Sequence, residues 1–299
     1  MNRPNDDVRA DILDPVAAYN RVARFYPEIA ERRKRYLERV DALTVARIPR
    51  GGRTLLDVGA GDGKRALAIA DQCGLDQVVL LEPSAEMIQG PVGGDARVWG
   101  FRAEDLGRDD LPAGGRNRQF DVITCLWNVL GHIRPAQQRA HVLGQLERLL
   151  SPHGVLFLDV NHRYNARSYG LLRTTGRFLY DQLLPAASNG DVTVSWNLGT
   201  ACCRTFGHVF TDREIRRLAR EAGFTIGERV AVDYDTGQVK RWSWGGNLFY
   251  VLRRRASASD SLSVSQTSRT SGSVIWLKKG SARTRSATSS VTGKRVSGK

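Results

Sequence analysis

The residues best suited to chemistry in this chain lie between positions 54 and 70. A short apolar run ends near Asp57, and Gly59, Gly61 and Gly63 follow at alternate positions before small and apolar residues recur at helical spacing. This pattern predicts a buried strand, a tight turn and a helix. Glycines allow backbone conformations that a Cβ would block, and a helix N-terminus presents unpaired N–H groups to a ligand. The stretch therefore predicts a ligand site formed largely by main-chain N–H groups.

Two well-known phosphate-binding turns do not fit the spacing of these glycines. A dinucleotide fingerprint needs a third glycine at position 64, where the chain has Lys64. A P-loop needs four residues between its glycines, whereas three separate Gly59 from Gly63, and Arg65 stands where Ser or Thr is required. The stretch instead resembles the first motif of class I S-adenosylmethionine-dependent methyltransferases. That resemblance also accounts for Asp57, because a carboxylate would repel a pyrophosphate but suits a cationic cofactor that carries hydroxyl groups.

A second acidic residue follows the next apolar run, residues 78–81. Glu82 lies 25 residues after Asp57 and 19 residues after Gly63. A carboxylate at the tip of the second strand, about 20 residues beyond the glycines, can accept hydrogen bonds from both hydroxyls of a ribose. This geometry alone suits a nicotinamide cofactor as well as a methyl donor. The glycine spacing and Asp57 together favour the methyl donor.

The resemblance to class I methyltransferases implies a fold, a cofactor and a set of contacts. The implied fold is α/β, a Rossmann-like three-layer sandwich with a mostly parallel seven-stranded sheet and an antiparallel last strand. The implied cofactor is S-adenosyl-L-methionine. An acid in the loop after the third strand would contact its adenine amino group, and there we favour Asp105 over Glu104. The implied cofactor contacts are Asp57, Gly59, Ala60, Gly61, Glu82, Pro83, Ala103, Glu104, Asp105, Leu126 and Trp127.

The chain divides into three parts by pattern and composition. The residues around Tyr19 and Tyr26 resemble the N-terminal lid of small-molecule class I methyltransferases, in which aromatic rings cover the cofactor and one wall of the substrate cavity. An amphipathic helix packed on the edge of the sheet is an equal alternative for the same residues. The last part is rich in Ser, Thr, Gly, Lys and Arg, which predicts disorder because it has little apolar surface to bury. The expected parts are a helical lid over residues 1–47, a class I methyltransferase domain over 48–255 with a substrate-roof insertion at 161–206, and a basic, low-complexity tail over 256–299.

Local signals add detail to the first two parts. Residues 1–13 are polar and are expected to be loose. The helical pattern that follows is expected to form two pieces broken near Pro27. Alternating residues between 192 and 206 predict an antiparallel hairpin within the insertion.

Composition limits the classes of protein to which this chain can belong. Its hydrophobic content of 41% supports a buried core, and no apolar run approaches the about 18–20 residues that would span a bilayer. The N-terminus lacks the apolar core of a secretory signal, so we expect a cytoplasmic protein that does not enter a membrane. The four cysteines show no zinc-type spacing, so no metal site is expected.

The net charge of +14 is unevenly spread. Residues 256–299 hold eight Lys or Arg and one acid, which gives +7, and residues 1–255 hold 37 basic and 30 acidic residues, which gives the other +7. The first 255 residues are therefore only mildly basic. Nucleic acid could bind through the tail by charge, although this is not the favoured partner. The run Arg32-Arg33-Lys34-Arg35 is interpreted as a solvated face.

Methyl transfer from a sulfonium is an in-line displacement, in which a protein mainly aligns donor and acceptor and excludes water. A base assists where the acceptor is an amine or a hydroxyl. His132 and His162 are the candidate bases, with His208 as a third, because all three are expected near strand ends.

Three functions are compatible with these features. The favoured function is methylation of a small molecule, on the evidence of the aromatic N-terminal helices and the hydrophobic insertion at 166–206. The second is methylation of RNA or protein, with the basic tail and the run at 32–35 as the contact surface. The third is a regulatory protein that binds S-adenosylmethionine without turnover. No oligomeric state is predicted.

Overall fold

The computed structural model describes residues 11–88, 96–108, 118–198 and 201–255. The helices in these ranges are α1 (Pro15–Val22), α2 (Tyr26–Glu31), α3 (Lys34–Val45), α4 (Lys64–Cys73), α5 (Ala136–Leu149), α6 (Ala166–Tyr169), α7 (Leu171–Leu183) and α8 (Asp212–Glu221). The strands are β1 (Ile12–Leu13), β2 (Thr54–Val58), β3 (Gln77–Leu81), β4 (Arg97–Trp99), β5 (Phe120–Cys125), β6 (Leu150–Val160), β7 (Asp191–Leu198), β8 (Ala201–His208), β9 (Phe224–Val232), β10 (Val239–Lys240) and β11 (Asn247–Arg254).

Eight strands form the main sheet, in the order β10-β9-β11-β6-β5-β2-β3-β4. The strands from β6 to β4 run parallel, and β11 runs antiparallel to both of its neighbours. The α/β class, the mostly parallel sheet and the antiparallel last strand expected from the sequence are confirmed. The expected number of seven strands is wrong, because residues 239–240 pair with β9 and add a two-residue eighth strand at that edge.

The central strands are buried on both faces, which explains their almost continuous apolar sequences. Along β2, Leu55 joins a core cluster that includes Tyr36 of α3 and Ala66 of α4. The next residue, Leu56, joins the opposite cluster, which includes side chains of α5 and α8. Because successive side chains of a strand point to opposite faces, one apolar run binds helices on both sides. The result is the three-layer arrangement expected from the sequence.

The parallel strands bring the predicted site to one edge of the sheet. Asp57 of β2 pairs in register with Leu80 of β3 and with Thr124 of β5. The carboxyl ends of these strands therefore lie side by side, and the loops that follow them converge. In open α/β sheets ligands bind in the crevice beyond these ends.

Three further strands form a second sheet, in the order β1-β8-β7. β7 and β8 pair antiparallel along their length, which confirms the expected hairpin. β1 pairs in parallel with β8, with Ile12 opposite Arg204, and α1 packs on the same strand through Ala18, Val22 and Cys203. The residues of β1 were expected to be loose, and this prediction is wrong because backbone pairing with β8 orders them.

The N-terminal region forms three helices instead of two. Pro27 is the second residue of α2, where proline is tolerated because its missing N–H would have no partner in the helix. The helical path is interrupted earlier, by the 3-10 turn Ala23–Phe25, and again between α2 and α3. The predicted disorder of 256–299 falls outside the described residues. Within the described ranges, no helix is both long enough and apolar enough to cross a membrane.

Candidate active site

The glycine-rich turn after β2 adopts backbone angles that favour glycine. Gly59, Gly61 and Gly63 have φ values of 69°, 58° and 72°. A Cβ on Gly59 would lie 2.4 Å from Cγ2 of Val129, so both the angle and the available space require glycine there. The N–H of Gly59 donates to the carbonyl oxygen of Leu81 at 2.8 Å, which ties the turn to the end of β3.

Glu82 connects the same turn to the residues that follow β3. Its Oε2 accepts a hydrogen bond from the N–H of Gly61 at 2.9 Å, and its Oε1 accepts one from the N–H of Ser84 at 2.9 Å. The residue is buried, and burial raises the pKa of its carboxyl group. Since a carboxylate oxygen can accept more than one hydrogen bond, Glu82 can hold a ligand while it fixes the turn.

Asp57 is a second buried carboxylate beside the turn. Its Oδ1 accepts a hydrogen bond from the hydroxyl of Thr124 at 2.6 Å. Burial raises the pKa of Asp57 to about 6, although the nearby Arg65 guanidinium opposes this shift. Arg65 in turn pairs with Asp41 at 2.6 Å. Asp57 is therefore mainly ionised at neutral pH but becomes neutral in mild acid.

A cavity opens at this edge of the sheet, with an empty volume of about 1080 Å³ that includes its open mouth. We call it the first cavity. Its wall is built from the glycine-rich turn, the residues that follow β3 and β5, the 3-10 turn Ala103–Asp105, and α1 and α2. The predicted site residues in this wall are Asp57, Gly59, Ala60, Gly61, Glu82, Pro83, Ala103, Glu104, Leu126, Trp127 and His132.

Asp105, the favoured adenine contact, lies outside the wall of the first cavity. Its carboxylate pairs with Arg108 at 3.0 Å. The neighbouring acid, Glu104, lines the cavity instead, and burial raises the pKa of Glu104. Of the two adjacent acids, Glu104 and not Asp105 therefore lies at the site.

A second cavity adjoins the first, and its empty volume is about 1200 Å³ with its open mouth included. The two cavities share four wall residues, Tyr19, Tyr26, Trp127 and His132. The second cavity is also lined by residues 194–197 of β7, by Asn128 and Asn161, which follow β5 and β6, and by Arg32 and Arg33. The basic run interpreted as a solvated face therefore contributes two side chains to a cavity wall.

His132 stands where the two cavities meet. Its Nδ1 lies 2.8 Å from the carbonyl oxygen of Phe206. A carbonyl only accepts, so Nδ1 carries the proton and Nε2 presents a lone pair in the neutral ring. The hydroxyl of Tyr19 lies 3.2 Å from Nε2 and donates to it. Burial lowers the pKa of His132 and raises that of Tyr19, so at neutral pH the imidazole is uncharged and the phenol keeps its proton.

The other two candidate histidines lie away from both cavity walls. His162 is buried, its Nδ1 donates to the carbonyl oxygen of Ser243 at 2.9 Å, and burial lowers its pKa to about 4. His208 is buried between Asp191, at 2.7 Å, and Glu214, at 3.1 Å. These contacts tie the β7–β8 hairpin to α8. Of the three histidines, His132 is the one that the structure brings to the cavities.

The turn after β5 carries two non-glycine residues with positive φ, Trp127 at 58° and Asn128 at 63°. Strain of this kind persists where the surrounding structure fixes it. Oδ2 of Asp159 accepts the N–H of Trp127 at 3.0 Å, while its Oδ1 accepts the hydroxyl of Tyr36 at 2.5 Å. The backbone oxygen of Asp159 accepts the N–H of Asn128 at 3.0 Å. Asp159 thereby fixes the turn that places Trp127 in both cavity walls.

The sequence did not indicate Asp159 as a site residue, nor did it indicate the contact of Tyr19 with His132. The one available signal for Asp159 was an acid within an otherwise apolar strand, a residue type that needs partners when buried. Tyr19 was expected in the lid, but its contact with His132 spans 113 positions of the chain and has no local sequence signal.

Comparison with known proteins agrees with this architecture. Residues 27–228 match a family model described as a methyltransferase domain, and this range is more than half of the 299 residues. A sequence search among curated proteins finds no match.

Solved structures of methyltransferases share the fold at low identity. An S-adenosylmethionine-dependent methyltransferase from Clostridium acetobutylicum ATCC 824 gives a TM-score of 0.53 at 14% identity, over 80% of this chain and 99% of that chain. The CcbJ methyltransferase from Streptomyces caelestis gives 0.52 at 16%, over 73% and 89%. The sugar N-methyltransferase KedS8 from Streptoalloteichus sp ATCC 53650 gives 0.50 at 17%, over 86% and 99%. By its family match and its fold, the chain belongs to the class I S-adenosylmethionine-dependent methyltransferases.

Proposed function

We propose that the protein transfers the methyl group of S-adenosylmethionine to a small-molecule acceptor. The observation that carries the proposal is the pair of adjoining cavities that share Tyr19, Tyr26, Trp127 and His132. A donor in the first cavity and an acceptor in the second would meet at these residues, aligned for displacement. The sugar N-methyltransferase among the structural neighbours is an example of this fold with a small-molecule acceptor.

The residues of the first cavity suit the cofactor. Gly61 lines this cavity without a side chain, and a Cβ there would lie 3.1 Å from the hydroxyl oxygen of Tyr26, which also lines it. Glu82 offers carboxylate oxygens to the ribose hydroxyls, Asp57 favours a cation, and Glu104 takes the role first expected of Asp105 at the adenine. When bound, the cofactor supplies a methyl group on a positively charged sulfur.

His132 and Tyr19 would remove the proton of the acceptor. The hydroxyl oxygen of Tyr19 accepts a proton from the acceptor's oxygen or nitrogen as its own proton passes to Nε2 of His132. The lowered pKa of His132 keeps Nε2 free of a proton at neutral pH, so the pair is ready to receive one. His162 has no part in this step, because its ring lies away from both cavities.

The lid and roof segments would exclude water from the junction. The rings of Tyr26 and Trp127 lie 5.7 Å apart between centroids, and those of Tyr19 and Trp196 lie 5.5 Å apart. Tyr19 belongs to α1 and Trp196 to β7, so the N-terminal helices and the hairpin meet over the same point. This contact supports the assignment of residues 1–47 as a lid and of 161–206 as a roof.

The proposal is tested by incubating the purified protein with S-adenosylmethionine labelled on its methyl group and with separate small-molecule, RNA and protein fractions of a cell extract. We expect label in the small-molecule fraction and an equal amount of S-adenosylhomocysteine. Label confined to RNA or protein would instead support the macromolecular alternatives. Donor binding with no product from any fraction would support the non-catalytic alternative. Glu82→Gln serves as the control variant with a weakened donor site.

A further inference from the structure

We infer that the acceptor is a planar aromatic compound that carries an anionic group in addition to the hydroxyl or amino group that is methylated. This inference rests on the proposed function and adds the chemical class of the acceptor. It is carried by the composition of the second cavity, where aromatic rings, hydrogen-bond donors and an unpaired positive charge line one wall.

Aromatic side chains form much of the wall of the second cavity. The indole N–H of Trp127 donates to the hydroxyl of Tyr234 at 3.2 Å, which fixes the two rings relative to each other. Aromatic walls favour flat ligands, because rings pair through stacked or edge-to-face contacts. The rings of this wall belong to Tyr19, Tyr26, Trp127, Trp196 and Tyr234.

The charge of the wall is positive and partly uncompensated. Arg33 forms an ion pair with Asp235, and its guanidinium lies 4.3 Å above the ring of Tyr234. The guanidinium of Arg32, an exposed residue of this wall, has no ion-pair or hydrogen-bond partner among the residues that the structure describes. None of the described wall residues of this cavity is an Asp or a Glu. A ligand carboxylate or phosphate would therefore gain a counter-ion at Arg32, whereas a cationic ligand would find none.

The amide of Asn161 adds hydrogen-bond donors to the same wall. Oδ1 of Asn247 accepts the backbone N–H of His162 at 3.2 Å, so the amide nitrogen of Asn247 must be its donor atom. That nitrogen donates to Oδ1 of Asn161 at 2.8 Å. One lone pair of Oδ1 is thus used, whereas Nδ2 of Asn161 has no hydrogen-bond partner among the described residues, so its N–H groups are available to a ligand. This again favours a ligand rich in acceptor atoms.

The two ends of the acceptor would lie in different surroundings. Arg32 lines the second cavity alone, whereas His132 and Tyr19 line both cavities. An anionic group held by Arg32 is thus away from the donor, and the atom that receives the methyl group lies at the junction. The aromatic ring spans the distance between these two ends.

The test uses the full chain saturated with S-adenosylhomocysteine and three matched sets of probes. The sets are hydroxybenzoates and hydroxynaphthoates, the corresponding neutral amides, and the corresponding cationic amidines. Dissociation constants are measured by ligand-observed NMR. We expect the carboxylates to bind about tenfold more tightly than the amides, because a charged hydrogen bond to guanidinium is lost in the amide, and the amidines to bind most weakly.

Two variants test whether Arg32 causes the preference for carboxylates over amides. Arg32→Gln should reduce the preference for carboxylate to about twofold or less. Arg35→Gln removes an exposed arginine of the same basic run that does not line the cavity, and it should keep the preference. The inference is overturned if no carboxylate binds more tightly than its amide, or if Arg32→Gln keeps the preference. Calorimetry with S-adenosylhomocysteine is run first, so a failed donor site is recognised separately as failure of the proposed function.

Discussion

The hydroxyl of Tyr19 lies 3.2 Å from Nε2 of His132, at the junction of the two cavities. Tyr19 belongs to α1, and His132 belongs to the 3-10 turn Val129–His132 that follows β5. The pair therefore joins α1, which packs on β8, to the turn that follows β5. This contact couples the position of α1 to the proton path that we propose.

Replacement of Tyr19 by Phe should separate the proton path from donor binding. The variant keeps the ring but removes the hydroxyl, so we expect turnover to fall about 10- to 100-fold at saturating donor. The affinity for S-adenosylhomocysteine should be little changed. The rate of S-adenosylhomocysteine formation with an active extract fraction measures the first effect, and calorimetry measures the second. Tyr180→Phe, an exposed tyrosine of α7, is the matched control. Normal turnover in Tyr19→Phe would exclude the path.

Donor affinity should depend on the ionisation of Asp57. Because burial raises the pKa of Asp57 to about 6, its carboxylate is charged above that pH and neutral below it. We expect the affinity for S-adenosylmethionine, which is cationic, to fall as the pH falls through about 6. Asp57→Asn should bind more weakly at pH 7.5 and show no such step. Calorimetric titrations between pH 5 and 7.5 measure the affinity of both proteins. An equal fall in affinity in the variant would assign the pH dependence to another group.

The buried carboxylate of Asp57 should also reduce the free energy of unfolding at neutral pH. A carboxyl group whose pKa is raised on folding costs stability above its folded pKa, and the cost disappears as the pH falls from about 6 towards the unfolded value of about 4. Asp57→Asn is neutral and can still accept from Thr124. We expect it to raise the free energy of unfolding at pH 7 by about 1–3 kcal/mol, with a smaller gain at pH 5. Urea denaturation measures the gain, and the exposed Asp71→Asn is the control.

Asp159 should be essential for the turn at Trp127. Asp159→Ala leaves the hydroxyl of Tyr36 and the N–H of Trp127 without their partner in a buried site. We expect a loss of about 2–5 kcal/mol in the free energy of unfolding. Donor and acceptor binding should also weaken, because the ring of Trp127 is no longer fixed. A loss below about 0.5 kcal/mol, typical of a surface substitution, would contradict this account.

The parts of the site that sequence predicted are those encoded within one short segment. The glycines of the turn can be identified by their residue type and spacing, and Glu82 can be identified because it directly follows a predicted strand. Parallel strands place the loops at their carboxyl ends along the same edge of the sheet, so this part of the site follows from the strand pattern alone. The fold class and the family followed from the same signals and are confirmed.

The parts that sequence missed depend on orientation or on distant contacts. Glu104 and Asp105 are adjacent, and which one lines the cavity is set by the rotation of a single 3-10 turn. His132 and His162 both follow strands, yet one reaches the junction and the other is buried against Ser243. The two-residue strand β10 depends on pairing with β9 and carries no pattern of its own.

The most direct measurement is the calorimetric titration of S-adenosylhomocysteine into the purified chain and into Glu82→Gln. We predict one binding site per chain, with affinity about 10- to 100-fold weaker in the variant, because its carboxylate oxygens hold both the turn and the ribose. Asp105→Asn, outside the cavity wall, should bind as the unmodified chain does. Absence of binding to the unmodified chain, or equal binding by Glu82→Gln, would contradict the account of the donor site.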